Sequence, residues 1–134
     1  MSTRLITNEQ LYKEAIEPVA RANSFVWIGT ADLKDLHVHH KGSVQSFLSV
    51  MNELVKRKVA IRLLHAKEPG ANFRNSFDKY PVLWENMERQ LCPRVHFKHI
   101  IVDGQMAYTG SANLTGAGLG IKSKDTRNFE SGIV

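Results

Sequence analysis

Between Val95 and Val102 the chain reads Val-His-Phe-Lys-His-Ile-Ile-Val, and Asp103-Gly104 follows at once. A run of β-branched and aromatic residues meeting Asp-Gly is the strongest short-range signal for a β-hairpin. A strand over 95–102 and a return strand over 105–109 are therefore expected. Side chains alternate between the faces of a strand, so His96 and Lys98 share one face, and Asp103, at odd spacing from both, takes the other. Asp103 is expected to act structurally, bonding nearby backbone amides at the turn and holding the hairpin in register. Gly110-Ser111-Ala112-Asn113 comes next. A glycine there permits a sharp bend or a close backbone approach, which puts Ser111 and Asn113 at the mouth of the same hairpin.

These residue types define a chemistry. The imidazole of His96 offers a nucleophile that is partly neutral near pH 7, Lys98 a fixed positive charge, and Asn113 a neutral amide donor. Such a set suits attack on a phosphodiester.

The residues His96, Lys98, Asp103, Gly110, Ser111 and Asn113 stand in the order and spacing of the H-x-K-x(4)-D and G-S-x-N signature of the phospholipase D superfamily, which this chain resembles. Asn128-Phe129-Glu130 is similar to that family's later strand, whose carboxylate supports the histidine. The helix-then-strand pattern over 44–64 also looks like the family. The resemblance implies an α/β fold, a mixed β-sheet flanked by helices, forming one half of a two-histidine enzyme. It also implies roles: His96 attacks phosphorus and becomes a covalent phosphohistidine, Lys98 and Asn113 bind the non-bridging oxygens, and Glu130 accepts a hydrogen bond from the far nitrogen of His96. Ser111 would orient the phosphate or the lysine. Asp103 and Gly110 would support the motif.

That chemistry needs a second histidine to protonate the leaving oxygen, yet the H-x-K pattern occurs once. Single-motif members of the family solve this by dimerising. A homodimer across a two-fold axis is accordingly expected, with His96 of each copy at a shared site.

The chain has 134 residues, 43% of them hydrophobic, and a formal charge of +5. That is the size of one domain, read here as a single catalytic domain over 1–134 whose C-terminal closing elements are missing. The positive charge favours polyanionic partners, DNA or RNA. Lys122, Lys124 and Arg127, in a polar stretch before Glu130, are candidate contacts to a nucleic-acid backbone. With Cys92 as the single cysteine no intrachain disulfide forms, and the N-terminus lacks an apolar core of signal-peptide length; a cytoplasmic protein without stable membrane association is expected.

His37-Val38-His39-His40 is the competing feature. Two histidines at i, i+2 on a strand can share a metal, but no cysteine accompanies them and only Asp32 and Asp35 lie near, so no metal and no cofactor are expected. The leading expectation is a metal-independent endonuclease-like phosphodiesterase. A phospholipid-directed hydrolase or phosphatidyl transferase is the alternative. A non-catalytic nucleic-acid-binding module of a larger protein is the third.

The rest of the map alternates helix and strand. Asn8 can cap a helix to about Ala22 that Pro18 kinks or divides. Ser24–Thr30 reads as a buried strand with Trp27 in the core. Ser43 can cap a helix whose core face is Phe47, Val50, Met51 and Leu54, and Val59–Leu64 is the next strand. A short helix is expected around Val82–Leu91.

Overall fold

The computed structural model describes residues 2–115 and 129–134. Its centre is β2 (Phe25–Thr30), which pairs in parallel with β5 (Ala60–His65) and antiparallel with β7 (His99–Val102). Outward on one side β5 is followed by a parallel β6 (Glu88–Leu91). On the other side come β8 (Met106–Gly110), β9 (Ser131–Ile133) and β1 (Leu5–Thr7), all antiparallel. The seven-stranded order is β1-β9-β8-β7-β2-β5-β6, a mixed sheet in an α/β fold as expected.

One face of the sheet supplies the core. Val26 and Ile28 of β2, Ile61 and Leu63 of β5, Ile100 and Val102 of β7 and Tyr108 of β8 are buried with the helices. The helix α2 (Phe47–Lys56) packs there through Phe47, Val50, Met51 and Leu54, the face that its sequence spacing predicts. Each such side chain stabilises the fold by roughly 1.5–3 kcal/mol relative to exposure. The opposite face is open among the described residues: Trp27, placed in the core by sequence, is 43% exposed on it with the Arg62 guanidinium 5.7 Å from its ring. β2 is thus buried on one side only. The unbroken apolar run conceals an alternation: Phe25 and Trp27 lie on the face opposite Val26 and Ile28, and at Gly29 that face is covered by the Phe97 ring.

Three boundaries differ from expectation. Ser43 begins a strand, β4 (Ser43–Ser46), paired with β3 (His37–His40) through a tight turn at Lys41 and Gly42, both with positive φ. The cap of α2 is Ser46, whose hydroxyl accepts the Ser49 N–H at 3.0 Å. Ser46→Ala should cost about 1 kcal/mol in urea unfolding, whereas Ser43→Ala should not. The helix expected over Val82–Leu91 ends early, as α4 (Pro81–Asn86), preceded by α3 (Ala71–Phe77), and Leu91 lies in β6. Parallel pairing with β5 wins over local helix preference there.

At the N-terminus the helical stretch runs over Glu9–Arg21 with Asn8 and Ala22 at its ends, as expected, and the cap differs. Asn8 stands at the N-cap position of its helix but its side chain makes no cap hydrogen bond, because its Oδ1 accepts the Glu130 N–H instead. The helical stretch changes form on approaching Pro18, from α1 (Glu9–Leu11) through a π-helical turn (Tyr12–Ile16) to a 3₁₀ turn (Glu17–Arg21). Ahead of it, β1 pairs with β9 in the register Leu5↔Ile133 and Thr7↔Ser131. The outer edge of β9 is therefore completed by the chain's own N-terminal strand.

Candidate active site at the end of the sheet

Two glycines set how closely the last strands approach. Gly110 of β8 pairs with Gly132 of β9, and a Cβ on Gly110 would stand 2.5 Å from the Ser131 carbonyl oxygen and 2.6 Å from the Gly132 Cα. The close approach is to the backbone of β9. Tyr108 fills the space both glycines leave, and its hydroxyl accepts the Ala112 N–H at 3.2 Å. Burial, with a smaller push from the Glu130 charge, raises its phenol above the ordinary value against that hydrogen bond. Gly110→Ala forces backbone apart and should destabilise by about 3 kcal/mol, read as a lowered urea midpoint.

The two halves of the motif meet where β7 and β8 run together. Gly110 donates its N–H to the Lys98 carbonyl at 3.3 Å, which sets Gly110-Ser111 beside the His96–Lys98 segment. The strand expected from Val95 begins only at His99. Val95 closes a turn onto the Cys92 carbonyl, and Gly29↔His99 is the last pair with β2, whose Thr30 carbonyl is taken instead by Ala66. Residues 95–98 thus leave the ladder, so strict face alternation does not govern His96 and Lys98. The Lys98 ammonium donates to the His96 carbonyl at 3.0 Å, folding its charge back over the segment. His96 is exposed, and its ring makes no hydrogen bond among the described residues.

Asp103 is structural, and it reaches further than its own turn. At φ 54° it forms the positive-φ turn with Gly104, as Asp-Gly predicts. Its carboxylate accepts the backbone N–H groups of Asn23, Ser24 and Phe25 at 2.8, 2.7 and 2.9 Å. The hairpin is thereby pinned to the start of the central strand. Desolvation opposes the charged form, but the three N–H donors outweigh it and hold the carboxyl below its ordinary value.

Asn113 is oriented from the opposite strand end. Its Oδ1 accepts the N–H groups of Ala31 and Asp32, each at 3.1 Å. Backbone N–H groups only donate, so the oxygen is committed to them and the NH2 end is the one turned outward as a donor. Thr30, buried, ties the same loops together: its hydroxyl donates to the Asp32 carbonyl at 2.7 Å and accepts the Leu114 N–H at 3.0 Å. Sequence reading missed Thr30 and Tyr108, since both occupy ordinary strand positions and act only through partners brought in by the fold.

Glu130 stands across the turn. Its carboxylate accepts the Ser111 hydroxyl, and Ser111 is further fixed by Ser131: its N–H donates to the Ser131 carbonyl at 3.0 Å and its Oγ accepts the Ser131 N–H at 3.1 Å. The hydrogen bond expected between Glu130 and His96 is not formed here. Ser111 takes its place as the partner of the carboxylate.

Of the remaining candidates, Lys122, Lys124 and Arg127 lie outside the described residues. Two other lysines border the Asn113 loop through their backbone: Lys34 donates its N–H to the Leu114 carbonyl at 3.1 Å and Lys67 to the Ala31 carbonyl at 3.0 Å. The histidine cluster disperses. His40 Nε2 meets Glu53 at 3.2 Å, His39 is edge-on to Tyr12, and His37 is exposed. No group of three metal-binding side chains is assembled among the described residues.

A mixed sheet that brings H-x-K and G-S-x-N together at the carboxyl end of its parallel strands defines a phospholipase D-like domain. Residues 15–134 match the family described as cardiolipin synthase, PLD-like domain, and the chain belongs to that phospholipase D-like family. Among curated proteins, none matches the sequence. Solved structures with the same fold include NucT from Helicobacter pylori, 14% identical with a TM-score of 0.64, covering 98% of this chain and 83% of that one. The phospholipase D family member Nuc from Salmonella typhimurium is 15% identical with a TM-score of 0.60, covering 98% and 82%. TrmBL2, an archaeal chromatin protein described with a novel mode of DNA binding, is 11% identical with a TM-score of 0.59, covering 99% of this chain and 45% of its own.

Proposed function

We propose that this chain is a phosphodiesterase acting on DNA or RNA through a covalent phosphohistidine, with its working site built from two copies of the chain. The observation that carries the reading is the junction of Lys98 with Gly110-Ser111, which gathers both halves of the motif at one sheet end.

A ring nitrogen of His96 attacks phosphorus and the bond to the leaving oxygen breaks. The second histidine, His96 of the other copy, gives that oxygen a proton. Water then attacks the phosphohistidine, returns a proton to the second histidine, and frees His96 as the P–N bond breaks. Lys98, swung from its carbonyl, and the Asn113 NH2 bind the non-bridging oxygens, where charge concentrates in the transition state. Glu130 acts on this site through Ser111 as the geometry stands, and accepts from His96 when the imidazole turns inward.

A net charge of +5 supports a polyanionic substrate, and Lys34, Lys67 and the basic stretch 122–127 are its candidate backbone contacts. TrmBL2, which shares the fold, binds DNA. The alternative, a phospholipid hydrolase or phosphatidyl transferase, is favoured by the family's description as cardiolipin synthase. No helix among the described residues is long and apolar enough to cross a membrane.

The test offers single-stranded DNA, duplex DNA, RNA, a chromogenic diester and anionic phospholipid vesicles to the purified protein in excess EDTA. Nucleic-acid and chromogenic-diester cleavage unchanged by EDTA is expected. Turnover of lipid alone supports the alternative, and reversible loss on chelation contradicts the phosphohistidine route.

A further inference from the structure

Asn8 is the residue whose backbone departs furthest from ordinary conformations at this end of the molecule. With φ 49° and ψ −114° it lies outside the regions open to residues with a side chain, and only a structure that fixes it from several sides retains such a conformation. The fixing partners are visible. Its N–H donates to the Glu130 carbonyl at 3.0 Å, and its Oδ1 accepts the Glu130 N–H at 3.0 Å. Its own carbonyl is turned the other way, accepting the Leu11 N–H at 3.0 Å to open the helical stretch.

The conformation follows from this double duty. In the antiparallel ladder of β1 and β9 the pair after Thr7↔Ser131 is Asn8 opposite Glu130. A normal ladder would return the Glu130 N–H to the Asn8 carbonyl. Because the helix claims that carbonyl, the Asn8 side chain substitutes for it as acceptor. Glycine would adopt the backbone but has no acceptor, and an apolar side chain has neither property.

We propose that Asn8 is a positioning residue of the active site: it clamps both peptide groups of Glu130 and so places the carboxylate that holds Ser111. The inference rests on the proposed phosphodiesterase reading only for its kinetic consequence. It makes the N-terminal strand part of the catalytic assembly.

Two variants and two readouts test it. Asn8→Gly relieves the strain while removing the acceptor, so it should fold with a thermal midpoint close to that of the parent. Its Glu130 amide should exchange with solvent at least about tenfold faster. On a chromogenic diester kcat should fall about tenfold with KM within about twofold. Asn8→Asp keeps the acceptor and should restore amide protection and most of kcat. Parent-like protection of the Glu130 amide in Asn8→Gly overturns the proposal, whatever the kinetics, and so does failure of that variant to fold. Faster amide exchange with kcat unchanged overturns the positioning role. If the parent protein itself turns over no diester, the functional reading fails, and the amide measurement alone still decides whether Asn8 places Glu130.

Discussion

Replacing His96 with alanine should lower kcat on a chromogenic diester by about 10⁴-fold or more, with little change in thermal stability. The size follows from the role: the nucleophile forms the bond to phosphorus, and no neighbour takes over. Stability is spared because the imidazole is exposed and makes no hydrogen bond among the described residues. Quenching the parent during turnover with denaturant at alkaline pH, where the P–N bond survives, followed by mass analysis, should find phosphorus on the peptide containing His96. Lys98→Ala should cost less, about 10²-fold to 10³-fold, because it removes one of several groups that meet the transition-state charge. A residual His96→Ala activity near the parent's would place the chemistry elsewhere.

The largest pH-dependent effect on stability is expected at Asp103. Its carboxylate joins three backbone N–H groups where the chain enters β2, so Asp103→Ala leaves the N–H groups of Asn23, Ser24 and Phe25 without their acceptor. Partial solvation moderates the loss to about 2 kcal/mol, or roughly 8 °C in thermal midpoint. The pH dependence has a definite sign. The folded carboxyl is held below its ordinary value, so its stabilisation is complete above the ordinary carboxylate range and is lost as pH falls through the folded value. The gap between the parent and Asp103→Asn should therefore be constant from pH 7 to about pH 5 and should close below about pH 4. A gap that persists undiminished at pH 2 would show that the charge is not what holds β2.

The hairpin and the core face of α2 were legible in the sequence because both are local. Asp103-Gly104 specifies its turn within two residues, and Phe47, Val50, Met51 and Leu54 declare a helix face by spacing alone. What escaped was made by distant partners. Asp103 bonds residues 78 to 80 positions away, and Asn8 meets Glu130 at a separation of 122. Neither separation leaves a periodic trace. Trp27 was misplaced because an apolar strand with one open face reads like one buried on both. β6, exposed at every position, carries no alternation to announce it. In the site, residue types revealed the chemistry of His96, Lys98 and Asn113. The direction in which Asn113 is held, by the N–H groups of Ala31 and Asp32, required the fold.

On the proposed mechanism the motif is half a site, completed by a second copy. Parent and His96→Ala chains, co-refolded from denaturant in mixed proportions, test it directly. If each site needs His96 from both copies, mixed dimers are inactive and activity follows the square of the parent fraction, so an equal mixture retains about a quarter. Activity that instead falls in simple proportion, with about half retained, would show that each chain works alone and would contradict the claim.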